Sequence, residues 1–95
     1  MSALDKVKSI FNNEKVQNTF YSLYDRWRDE CEYEDIKEYG KAIMNSINKN
    51  VPNSGAVLIN ATKKPFGIKI RIDDDTFHLC IKVRGGYLVM SCSKV

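Results

Sequence analysis

Between Asn48 and Gly55 the spacing of apolar residues changes from about 3.6 to about 2, and that switch limits the folds open to this chain. The intervening Asn48-Lys49-Asn50-Val51-Pro52-Asn53-Ser54-Gly55 is dense in turn-forming residues, so it reads as the boundary between a helical layer and a sheet.

Upstream, Leu4, Val7, Ile10 and Phe11 recur at helical spacing behind Ser2 and Asp5, which resemble a capping box, so a helix starts near residue 3. The phase stumbles at Asn12-Asn13-Glu14-Lys15 and resumes at Val16, Phe20, Leu23, Trp27 and Cys31. This predicts a kink there, or a second helix capped by Asn13. A further helix from about Glu34 to Asn48 puts Ile36, Tyr39, Ile43 and Ile47 on one face, with Glu34 and Asp35 at the end where the helix dipole favours acids. Gly40 inside it costs about 1 kcal/mol relative to Ala, which close approach of another backbone would explain.

Downstream, strands are predicted at residues 56–61, 66–72, 77–84 and 87–93. Gly85-Gly86 suits a two-residue turn with positive φ, which pairs Arg84 with Tyr87, Cys80 with Ser91 and Leu79 with Cys92. A turn at Asp74-Asp75 sets Ile72, Ile70 and Ile68 opposite Phe77, Leu79 and Ile81. A loop at Thr62-Lys63-Lys64-Pro65 sets Val57 and Ile59 opposite Ile70 and Ile68. All three registers gather the apolar residues on one face. The expected architecture is a two-layer α+β domain of order ααββββ or αααββββ, with a helical layer (1–50) over one face of a four-stranded antiparallel meander (56–93). In that core Ile68, Ile70, Leu79, Ile81, Met90 and Trp27 are expected to be buried, and Lys69, Arg71, Lys82 and Arg84 exposed.

With 95 residues the chain fits one domain and one core. No apolar run approaches the roughly 18 to 20 residues of a membrane-spanning helix, and the polar start MSALDKVKSI does not resemble a signal peptide, so the expected location is intracellular, cytoplasmic, without a membrane partner. Asn60-Ala61-Thr62 matches a glycosylation acceptor but is set aside for the same reason.

The catalytic inventory is poor, and no enzyme activity or cofactor is expected. The single histidine, His78, has Arg71 and Ser93 as lateral neighbours in the proposed register, and Cys80 lies two residues along, about 6.5 to 7 Å away. Cys31, Cys80 and Cys92 show no metal-ligand spacing, and Cys80 and Cys92 face opposite ways, so free thiols are expected. Asp73-Asp74-Asp75 lacks the alternation of a calcium loop and reads as a solvated turn. Asp29, Glu30, Glu32, Glu34, Asp35 and Glu38 form an acidic corner with no cleft to separate their pKa values.

Two surfaces remain. Charge is segregated: residues 1–50 carry eight Lys and Arg against nine acids, residues 51–95 carry seven against three. On the open sheet face Lys69, Arg71, His78, Lys82 and Arg84 surround Leu58, Tyr87 and Val89. On the second helix Tyr21, Tyr24 and Arg28, spaced i, i+3, i+7, combine residue types enriched at interface hot spots. The expected function is therefore a small binding module acting by protein–protein contact, with nucleic-acid binding through the sheet face as the alternative. An open face would also permit a homodimer. Eleven Lys against four Arg, with eight Asn and nine Ile, is a composition that AT-rich genomes encode, as in many bacteria and phages, and a chain of this kind suits an inhibitor, an antitoxin or immunity protein, or a phage-encoded antagonist.

Overall fold

A computed structural model describes residues 2–30 and 35–95, the side chains of residues 29, 30 and 35 excepted. Three helices precede four strands: α1 (Ala3–Phe11), α2 (Glu14–Glu30), α3 (Asp35–Asn50), β1 (Val57–Lys63), β2 (Phe66–Ile72), β3 (Asp75–Arg84) and β4 (Tyr87–Lys94). The strands form one antiparallel meander in the order β1-β2-β3-β4, with the helices packed on one face. No helix among the described residues is long and apolar enough to cross a membrane. Cys31, Tyr33, Glu32 and Glu34 lie outside the described residues.

Local chemistry sets the helix ends. The Ser2 hydroxyl accepts the Asp5 amide at 3.2 Å and opens α1. At Asn12-Asn13 the chain breaks: the Asn13 side chain accepts the Val16 amide at 3.1 Å as the first residue before α2, a cap worth about 1 kcal/mol, and the Gln17 amide side chain donates to the Phe11 carbonyl at 2.7 Å. The interruption is thus two helices, not a kinked one. In α1 the buried stripe is Ala3, Val7 and Ile10, spaced i, i+4, i+7, which leaves the expected core residue Leu4 exposed. Gly40 is explained by packing of α3 on β1: a Cβ there would stand 3.0 Å from the Ala61 Cβ.

Phe66, Ile68, Ile70, Ile72, Phe77, Leu79, Ile81 and Met90 form the sheet side of the core against Val7, Ile10, Val16, Phe20, Ile43 and Ile47. Each large apolar side chain buried this way contributes about 1.5 to 3 kcal/mol relative to exposure. Trp27, expected in the core, is only half-buried at its margin.

The β3–β4 register is the expected one, with Arg84 paired to Tyr87 across Gly85-Gly86, both at positive φ. Between β2 and β3 the turn is Asp73-Asp74, with Asp73 at φ 55°, and Ile70 pairs with Phe77 and Ile68 with Leu79, two residues from the expected alignment. Asp75 thereby joins β3 and meets Lys94 at 3.2 Å, and Lys6 reaches Asp73 at 3.5 Å. A two-residue shift preserves facing, so the same side chains are buried.

The β1–β2 hairpin overturns the expectation more deeply. Its turn is the two residues Lys64-Pro65, joined by a cis peptide, and a bulge between Leu58 and Asn60 adds an unpaired residue. The tight turn shifts the register by two residues from Asn60 to Lys63, which preserves facing, and the bulge reduces the shift to one at Val57 and Leu58, which turns those side chains to the opposite face. Leu58, assigned to the open face, packs against the core, whereas Val57 and Ile59, assigned to the core, are 51% and 49% exposed.

Candidate binding surface

The sheet face away from the helices carries Val57, Asn60 and Thr62 from β1, Gly67, Lys69 and Arg71 from β2, Thr76, His78, Cys80, Lys82 and Arg84 from β3, and Tyr87, Val89, Ser91 and Ser93 from β4. Strand alternation puts them there, and none is a carboxylate. Arg71, Lys82 and Arg84 are exposed as expected, while Lys69 and His78 are half-buried. Tyr87, at 76%, is the most exposed large apolar or aromatic side chain in the described chain.

Gly67 organises the middle of this face. A Cβ at this position would lie 2.0 Å from the Leu79 carbonyl oxygen and 2.6 Å from the Cys80 Cα, so β3 closes directly over it and Cys80 is buried on an otherwise open face. The bare backbone also lets β1 reach β3: Thr62 Oγ1 lies 2.9 Å from His78 Nε2. Because the Thr62 hydroxyl donates to the Pro65 carbonyl at 2.8 Å, its oxygen can only accept from the ring, and His78 must carry its proton on Nε2.

The lateral neighbours of His78 are Lys69 and Ser93, not Arg71 and Ser93, as the two-residue shift between β2 and β3 requires. Desolvation, with Lys69 and Lys82 adding to it, holds the His78 pKa below its ordinary value. Burial pushes the thiols of Cys80 and Cys92 up, only partly opposed at Cys80 by Lys82, and both are free. Neither thiol is shifted towards its thiolate, and the imidazole is engaged with the Thr62 hydroxyl.

Tyr21 and Tyr24 are half-buried against the core, and do not stand free. Tyr24 packs edge-on to Phe66 at 5.7 Å between ring centroids and tilted to Trp27 at 6.0 Å, and Trp27 lies 5.2 Å from Phe66. Exposed Arg28 holds its guanidinium 5.9 Å above the Tyr24 ring and 3.7 Å from Asp25.

This aromatic group opens into a cleft of about 500 Å³ between α2, the Lys64-Pro65 turn and the end of β3, where Tyr24 and Trp27 face Lys64, Ile81, Lys82 and Val83. Tyr24 from the helix surface and Lys82 from the sheet surface therefore border the same depression, which the sequence presented as two separate sites. Trp27, Phe66, Lys64 and Val83 were not among the expected site residues. Only the Lys-Pro turn marked their neighbourhood, since Phe66 and Val83 sit in phase with the core. Val83 points to the helix side but is 65% exposed, because the helical layer stops short of the β3–β4 tip.

No family model matches the chain, and neither a curated protein nor a solved structure is found similar to it.

Proposed function

We propose that the chain is a non-enzymatic binding module that recognises a protein partner with an acidic surface, using the outer face of β2, β3 and β4 and the tip of the β3–β4 hairpin. One observation carries the reading: the outward positions hold Lys69, Arg71, Lys82 and Arg84 around exposed Tyr87 and Val89, with no carboxylate among them. Such a face combines charge that steers an acidic partner with apolar area that holds it. The suppressed imidazole and the raised thiols fit a role without covalent chemistry. An inhibitor, antitoxin, immunity protein or phage-encoded antagonist works in this way, inside a cell and without a cofactor.

The same cations favour a second reading, a single nucleic-acid strand lying across the sheet with Tyr87 as its stacking platform. Protein is the stronger reading because one exposed tyrosine supports only one base, whereas exposed Val89 beside Tyr87 on the same face adds apolar area suited to side chains.

The test is capture with the tagged protein from cells of its own source, with and without nuclease, repeated with Tyr87→Ala and Arg84→Ala. A nuclease-resistant protein whose binding weakens by about 1 to 4 kcal/mol in each variant, at unchanged melting temperature, supports the reading. Retention of nucleic acid alone, lost with a steep salt dependence when Lys69, Arg71, Lys82 and Arg84 are replaced together, would transfer the function to the second reading.

A further inference from the structure

The cleft beside α2 has a floor and a rim of different chemistry. Its floor is the ring group of Tyr24, Trp27 and Phe66, continued by the apolar wall of Ile81 and Val83. Its rim carries Lys63, Lys64 and Lys82, of which Lys64 and Lys82 are exposed and not ion-paired with a described residue, and no Asp or Glu is among the described lining residues. Val83 is in phase with the core yet stands in solvent, so apolar area is available at the mouth as well as inside.

These features select an occupant. A wholly apolar group would cover the floor but leave two ammonium groups partly desolvated without partners, and a small polar anion would leave the rings wet. An apolar side chain in an acidic stretch of chain satisfies both at once. The volume of about 500 Å³ falls in the range that holds a side chain with its flanking backbone, and is too small for a folded element.

We propose that this cleft receives one aromatic or branched apolar side chain of the partner protein, from a segment with carboxylates on both sides that meet Lys64 and Lys82. The inference rests on the protein-binding reading and names the part of the partner that anchors it.

Trp27 is the only tryptophan, so its fluorescence reports on the cleft directly. The probe is the peptide acetyl-Asp-Glu-Phe-Glu-Asp-amide, titrated into the full chain while Trp27 emission and backbone amide NMR shifts are followed. Expected is a saturable change with a dissociation constant of about 1 mM or tighter, and shifts confined to the surroundings of Trp27, Lys64, Phe66 and Lys82. The same peptide with Ser in place of Phe, and its Lys/Arg counterpart, bind at least about tenfold more weakly, and so does the original peptide to the Lys64→Glu, Lys82→Glu double variant, whose exposed substitutions leave melting unchanged.

Absence of saturable binding up to about 5 mM, or equal binding of all three peptides, overturns the inference. Shifts centred on Tyr87 instead of Trp27 also overturn it. The titration needs no natural partner, so its failure is separate from failure of the capture experiment: a protein captured through Tyr87 with no peptide in the cleft removes the anchor and leaves the binding module.

Discussion

The Thr62 hydroxyl and His78 Nε2 meet at 2.9 Å although a whole strand, β2, runs between β1 and β3. The contact exists because the residue between them in the ladder is Gly67, paired on one side with Thr62 and on the other with Cys80. One missing methyl group therefore couples three strands, ties the β1–β2 turn to the sheet through the Pro65 carbonyl, and selects the tautomer of the only histidine.

Gly67→Ala tests that arrangement. The new methyl would meet backbone atoms of Leu79 and Cys80, which cannot swing away as a flexible side chain could, so β2 and β3 must separate locally. Overpacking of this kind is expected to cost about 2 to 3 kcal/mol in urea unfolding. A loss under about 0.5 kcal/mol would show that the strands do not approach so closely.

His78 predicts a pH dependence with a defined sign. Its folded pKa lies below the unfolded reference of 6.5, so the unfolded chain takes up the proton first as pH falls. The stability due to the neutral ring is complete above that reference and declines as pH falls below it towards the folded pKa. The urea midpoint should drop between pH 7.5 and pH 5, and His78→Gln should flatten the part of the slope nearest neutrality. A midpoint that rises with acidification over this interval contradicts the assignment.

Leu79 and Val83 lie on the same strand and point the same way, yet their substitutions should differ sharply. Leu79 is enclosed, so Leu79→Ala should cost about 2 to 5 kcal/mol by leaving a cavity, as should Ile70→Ala. Val83→Ala, beyond the edge of the helical layer, should cost under about 0.5 kcal/mol. Equal losses at Leu79 and Val83 in chemical denaturation would mean that the helices cover the whole hairpin.

The sequence alone determined what is decided within a few residues of chain. The Ser2 and Asn13 caps, the Asn12-Asn13 interruption and the Gly85-Gly86 turn each follow from a side chain satisfying a nearby amide or from two glycines that tolerate positive φ. The change of apolar period placed the helices before the strands, and alternation along β2 and β3 selected the buried face even though the pairing is offset by two residues, because an even offset leaves facing intact. Tertiary structure decided the rest. The tight Lys64-Pro65 turn displaces β1 by two residues and the bulge after Leu58 makes that one at Val57 and Leu58, which drew Leu58 inward and left Val57 and Ile59 in solvent, and no period within β1 records it. How far the helices reach also depends on how layers stack, so Trp27 and Val83, both in phase with the core, came to line a cleft. A periodicity gives the direction of a side chain, but whether anything stands opposite is settled only when the layers meet.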